Sequence, residues 1–190
     1  MILDKQAAAA LTRGRLIDAA LSILEGGVQH LTLDAVAKKA AVSKGGLLHH
    51  FPSKEALIEA VIRHLLGLFN ACVQQQYDSD PDPNPRGRWL RAYARASFTD
   101  FDIPMQALAT LVPFVHEHPP LNDAITQDAA VWSERLENDG VSPVRAAIIR
   151  MACDEYWTEH AIFGESRYPA EALLTDVLTL IAQGANGDDH

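Results

Sequence analysis

Lys44, His49, His50 and Lys54 place cationic or protonatable donors close together in the chain, and Thr32 and Ser43 add hydroxyls just ahead of them. Groups of this kind donate hydrogen bonds to anions. Lys44 can reach guanine O6 and N7 or a phosphate oxygen. Gly45 and Gly46 come next, and a glycine inside a helix costs about 1 kcal/mol against alanine. They are explained if the backbone must come close to a ligand; loose turn residues are the alternative. His49 and His50 follow one turn later, where imidazoles reach phosphates or base edges. As a metal pair they are poor, because adjacent helical residues diverge by about 100°. Thr32 and Lys54 would meet phosphates, helped by the free backbone N–H groups of helix N-termini. Plain capping or solvent exposure explains the same two residues without a ligand.

The elements that carry these residues are short helices. Leu33, Val36, Ala37 and Ala40 recur at helical spacing, with Thr32 placed to cap and Asp34 in the first turn, where the helix dipole favours an anion. Ala41 and Val42 turn the chain. Ser43 caps a second helix whose apolar side is Leu47, Leu48 and Phe51, and Pro52 stops it, because the residue before proline avoids the α region. Ser53 caps a third. This is the layout of a helix-turn-helix, whose second helix lies in the DNA major groove.

Thr32-Leu33-Asp34-Ala35-Val36-Ala37, Val42-Ser43-Lys44-Gly45-Gly46-Leu47 and Phe51-Pro52-Ser53-Lys54-Glu55-Ala56-Leu57 together resemble the DNA-binding domain of tetracycline-repressor (TetR) type regulators. The resemblance runs over residues 10–70, with the motif at about 32–51. Two positions depart from it. Ala41 stands where such proteins usually carry glycine, and a left-handed alanine costs roughly 1–2 kcal/mol. Leu48, His49 and His50 stand where tyrosines are common.

Composition and charge fit this reading. The net charge of −9 divides unevenly: residues 1–54 carry seven Lys and Arg against four Asp and Glu, the remainder nine against 21. A basic head on an acidic body confines an electrostatic footprint for DNA to the motif. The excess is modest, so two heads acting together bind far better than one. No apolar run approaches the ~20 residues of a membrane helix, and no signal-peptide pattern opens the chain, so the expected compartment is the cytoplasm with no membrane partner. Cys72 and Cys153 lie on apolar helix faces without metal-ligand spacing, as buried reduced thiols or as a redox switch. No cofactor motif, phosphate loop or nucleophile–base pair is present, which argues against an enzyme.

The rest of the chain reads as helix after helix. Leu16, Ile17, Ala20, Leu21 and Leu24 form a stripe that stops at Gly26-Gly27. A long helix over 53–77 follows the motif and links head to body. The run Asp78-Ser79-Asp80-Pro81-Asp82-Pro83-Asn84-Pro85 is a break. Further helices are expected over 86–99, 105–116, 121–139, 143–163 and 169–183. The predicted fold is therefore all-α, about nine helices: a three-helix helix-turn-helix domain joined to a larger helical domain over 71–184, then a disordered tail over 185–190.

That larger domain has two expected tasks. Trp89, Phe98, Phe101, Met105, Phe114, Trp132, Tyr156 and Trp157 supply apolar surface for a small-molecule pocket, with His116, Glu117, His118, Asp128 and Glu155 as polar partners. Aromatics at helical spacing serve equally as core. Pro113 would kink its helix and widen a cavity. In proteins this chain resembles, the last two helices pair with their copies. On that basis Ile148, Ala152, Phe163, Leu173, Val177 and Ile181 are expected at a homodimer interface, unless they are simply core. The resemblance implies a repressor that leaves a palindromic operator when an unknown small-molecule effector binds. A helix-turn-helix module for DNA or protein contacts, without an effector, is the alternative.

Overall fold

In a computed structural model of the full chain, residues 2–98, 111, 114, 115 and 117–185 are described. Among them are eight α-helices and no strand: α1 Ile2–Leu24, α2 Leu33–Lys39, α3 Lys44–His50, α4 Lys54–Asp78, α5 Arg88–Phe98, α6 Pro119–Glu137, α7 Pro143–Phe163 and α8 Ala170–Ala185. A 3₁₀ turn, Val28–His30, follows α1. The tail expected over 185–190 is corrected at its first residue, since Ala185 is the buried last residue of α8; residues 186–190 and most of the helix expected over 105–116 lie outside the described residues, as do Phe101, Met105, Pro113 and His116.

The chain forms two compact units. The first comprises residues 1–65 and 104–125, the second residues 66–103 and 126–190. This differs from a simple division near residue 70, because a later segment returns to the first unit. Leu111, Val115 and Leu121 in that segment are buried, and Phe114 meets Lys54 of α4.

In the first unit, α1 buries Leu16, Ile17, Ala20, Leu21 and Leu24, the stripe expected from sequence. α2 packs against both α1 and α3. The start of α4 adds Leu57, Ile58, Val61, Ile62 and Leu65 to the interior. α4 is long and apolar enough to cross a membrane, contrary to the expectation from sequence. Part of its apolar surface is buried, here and at Val73 in the second unit, while Leu68 is 41% exposed, and an ion pair between Glu59 and Arg63 at 2.9 Å lies on the same helix.

In the second unit α5 is enclosed by α7 and α8. Leu90, Ala92, Tyr93, Ala94, Ala96 and Phe98 are all buried, so this helix hides nearly its whole circumference. Phe69, Tyr77, Trp89, Trp132, Tyr156 and the α8 residues Leu173, Leu174, Val177 and Ile181 complete the core.

The proline-rich break is an ordered strap. Asp80, Asp82 and Asn84 each accept, on a side-chain oxygen, the backbone N–H two residues ahead, at 3.3, 2.9 and 3.1 Å. These are Asx turns, compatible with proline at every intervening position. The strap is pinned by Asp80, whose side chain is fully buried between Arg91 at 2.7 Å and Arg95 at 2.6 Å. Arg91 also donates to the carbonyls of Asn84 and Arg86. Gly87, at φ 73°, closes the strap: its N–H donates to the Asp139 carbonyl at 2.7 Å, and a Cβ there would meet Ile181 at 2.7 Å. Asp139 then accepts from Leu90 N–H at the start of α5.

Burial alone would raise the Asp80 carboxyl, but the hydrogen bonds from Arg95 and Arg91 outweigh it and hold the group below the ordinary carboxylate range. A lowered carboxyl stabilises the fold above its unfolded value, near about 4, and loses that contribution as pH falls through the lowered one. Asp80→Ala is expected to cost about 3–5 kcal/mol in urea unfolding, because it removes the buried carboxylate between Arg91 and Arg95 and leaves Arg91 only the longer pair with Asp82 at 3.7 Å. Near pH 2 the difference from wild type should shrink.

Candidate nucleic-acid interface

α2 and α3 are seven residues each, too short to persist alone. Their ends are therefore built with care. Thr32 accepts from Ala35 N–H, Ser43 from Gly46 N–H and Ser53 from Ala56 N–H, each at 3.1 Å. The turn between α2 and α3 has the Schellman form: Val42 N–H donates to the Ala37 carbonyl at 2.9 Å and Ala41 N–H to Lys38 at 3.2 Å. Ala41 takes φ 53° at the position where glycine is preferred. Arg15 of α1 donates to the Ala40 carbonyl and ties the turn to the first helix. Sequence reading missed this arginine, and also Arg13, whose guanidinium lies 5.1 Å from the Phe51 ring centroid.

Leu47 and Phe51 anchor α3 in the interior, and its other side is open. Ser43, Lys44, Gly45, Leu48 and His49 are exposed, while Gly46 and His50 are half-buried. The His49 and His50 rings meet edge to face at 5.6 Å. Lys44 Nζ pairs with Asp34 of α2 at 2.9 Å, with both side chains mostly solvated. A surface pair of this kind is worth little, so a phosphate can displace the carboxylate.

The two glycines separate physically. A Cβ on Gly46 would come within 3.0 Å of Val42, so its small size serves the fold. A Cβ on Gly45 would meet nothing within 4 Å. Packing gives no reason for glycine at 45.

Lys54, expected beside Lys44 as a phosphate donor, is directed inward. Its ammonium is 3.4 Å from the Val28 carbonyl and 5.4 Å from the centre of the Phe114 ring. Phe114 is thereby corrected as well: it belongs to the first unit with Lys54, not to the aromatic group of the second. Its ring stacks on His118 at 4.0 Å.

In the second unit Trp89, Phe98, Trp132, Tyr156 and Trp157 do share one region, joined by Phe69, Tyr77 and Tyr93, which sequence reading left out. Phe69 touches Tyr93, Trp132 and Trp157 edge-on at 5.2, 6.4 and 5.6 Å. Trp132 donates to Asn70, and Asn70 to Asp128, both at 2.8 Å. Tyr93 donates to Asp154 at 2.6 Å. Burial, with the Asp154 charge, raises the Tyr93 hydroxyl far above its ordinary value. Arg135 stacks over Trp89 and Trp132 at 4.3 and 4.9 Å. Glu117 and Glu155 are exposed.

The expected dimer residues also divide. Ile148 and Phe163 are 58% and 72% exposed and Ala152 is exposed, whereas Val177 and Ile181 are buried in their own unit's core and cannot offer surface to a second copy. Leu173 is half-buried against the same core. Val144, Met151 and Leu180 are further exposed apolar residues of α7 and α8. Both thiols are free; Cys72 is half-buried and Cys153 buried, and burial pushes the Cys153 thiol up to about 12.

Two family models match this chain: "Bacterial regulatory proteins, tetR family" over residues 16–61 and "Tetracyclin repressor-like, C-terminal domain" over residues 87–183. The chain belongs to the TetR family. It is a regulatory protein, not an enzyme. It is 36% identical over 115 residues to the HTH-type transcriptional regulator BetI of Burkholderia cenocepacia HI2424, a match spanning 58% of each protein. Against BetI of Serratia proteamaculans it is 27% identical over 188 residues, covering 92% of this chain and 94% of the relative. A putative transcriptional regulator from Pseudomonas aeruginosa PAO1 superposes with a TM-score of 0.75 at 18% identity, over 92% of this chain and 90% of that one. The TetR-family fold thus extends over both units.

Two substitutions test the local geometry of the head. Ala41→Gly should raise stability by about 0.5–1 kcal/mol in thermal or urea unfolding, since it removes left-handed strain at some entropic cost. Gly45→Ala should stabilise by a similar amount while weakening DNA binding, because the added methyl points only outward. Unchanged DNA affinity would count against close approach at this position.

Proposed function

We propose that this TetR-family chain is a sequence-specific transcriptional regulator, a repressor that leaves a palindromic operator when a small-molecule effector binds its second unit. The observation that carries the reading is α3: Lys44 and Gly45 in its first turn are exposed, with Lys44 only in a solvated pair with Asp34, while Leu47 and Phe51 hold the helix from behind. Lys44 is suited to a guanine edge or a phosphate, and Gly45 to close backbone approach. Thr32 and Ser43 hold the helix starts whose N–H groups face phosphates, and His49 and His50 add donors one turn further.

A second copy is favoured by the exposed apolar residues of α7 and α8, Val144, Ile148, Met151, Phe163 and Leu180. Two-fold pairing would present two α3 helices to major grooves about 34 Å apart. The aromatic region of the second unit, with Asn70, Asp128 and Asp154 as its polar groups, is where an effector would act. To weaken DNA binding 100-fold, that effector must favour the non-binding arrangement by roughly 2.7 kcal/mol. The site of action is the cytoplasm, where operator DNA is.

Repeated selection from a random duplex pool tests this reading. The wild-type chain should enrich a near-palindrome, with affinity falling linearly on a log–log salt plot; Lys44→Ala should lose the enrichment. A pool that stays random at low salt would count against sequence reading. Ile148→Asp should shift the chain to monomer in analytical ultracentrifugation and weaken operator binding. A dimer that persists would move the interface elsewhere.

A further inference from the structure

Lys54 stands at the first position of α4, beside the helix-turn-helix, yet its charge is used internally. Its ammonium sits at 3.4 Å from the Val28 carbonyl and 5.4 Å from the Phe114 ring centre. Phe114 comes from a segment some sixty positions later in the chain, grouped with the first unit by its contacts. That segment is anchored beside it. Leu111 and Val115 are buried. Phe114 is nearly parallel to His118, at 17° and 4.0 Å, and His118 Nδ1 lies 2.7 Å from the Phe114 carbonyl oxygen. His118 N–H donates to Val115, and Leu121 N–H to His118. The phenyl ring is thus presented to Lys54 by a braced turn.

The N-terminus of α4 is occupied in the same way. Ser53 takes up the Ala56 N–H, and Glu55 lies against backbone N–H and the Ser53 hydroxyl, interactions that hold its carboxyl below the ordinary range with a smaller contribution from His118. The cation that α4 could offer DNA at its start, Lys54, is thus engaged from within.

We infer that the Phe114 ring is an autoinhibitory seat for Lys54, holding the ammonium away from the DNA phosphate it would otherwise contact. The seat is weak by design of its parts. A cation over a phenyl ring and a hydrogen bond of 3.4 Å are both softer than a charge-assisted bond to phosphate. DNA therefore competes for Lys54, and the seat lowers affinity by a small factor instead of abolishing it. Any change that draws Phe114 from Lys54 releases the lysine and tightens binding. This regulation rests on the reading of the first unit as a DNA-binding head.

Fluorescence anisotropy of the full chain on its selected duplex, with KCl varied, tests the seat. Phe114→Leu keeps apolar volume and removes the ring face; Phe114→Tyr keeps the ring. Phe114→Leu should bind roughly two- to fivefold more tightly per head, with the log–log salt slope steeper by about 0.9 per head, as one further phosphate contact forms. Phe114→Tyr should match wild type. In a Lys54→Ala background the gain from Phe114→Leu should vanish. A Phe114→Leu variant, folded by circular dichroism, with wild-type affinity and slope overturns the seat, as does a gain that survives Lys54→Ala. If Lys44→Ala still abolishes binding in those cases, the DNA-binding reading stands and only the seat fails. If the wild type binds no duplex and Lys44→Ala changes nothing, both fall.

Discussion

Burial of Leu47 and Phe51 is the interaction on which the candidate interface depends. A seven-residue helix has no stability of its own in water, because the cost of nucleating it exceeds what so few hydrogen bonds return. Two side chains buried in the first unit, with the Ser43 cap and the Schellman turn before it, make α3 a helix and fix its rotation. Rotation decides function here. With Leu47 inward, Gly45, about 200° round the helix, faces out, and Lys44 is exposed at the start of α3.

The second unit rests on a different constraint. Its strap has almost no apolar residue to bury, so it is held by charge: Asp80 between two arginines, with Arg91 reaching on to the Asn84 and Arg86 carbonyls. Such a cluster is costly to desolvate, but it fixes the path of the chain into α5. α5 is enclosed on nearly all sides, and a small displacement there would be felt by the aromatic residues around Trp132. The same low-dielectric surroundings raise the Tyr93 hydroxyl and the Cys153 thiol, which keeps both neutral.

The first unit was the more legible of the two in the sequence. Local rules govern caps, stops and short-range apolar spacing, and Thr32, Ser43 and Ser53 act as the caps their positions suggest. Helix periodicity also placed α7 over 143–163 as found. The misses share one cause. Val177 and Ile181 satisfy the same spacing as an outward stripe, but α5 packs on them; Phe114 reads as one aromatic among many, but its segment returns to the first unit. The strap reads as a break because its order comes from arginines later in the chain.

The sequence by itself determined an all-helical chain, a capped helix-turn-helix with Lys44 and Gly45 at the start of its second helix, and the concentration of basic charge at that end. These depend on neighbours within a turn or two, where residue type sets the energy directly. Tertiary structure decided which charges are free to meet a partner. Lys44 is solvated and loosely paired with Asp34, whereas Lys54 is drawn to Val28 and Phe114. It also decided which apolar stripes are core and which are surface. Both outcomes turn on contacts between residues far apart in the chain, and helical spacing is the same whether a stripe meets its own protomer or is left exposed.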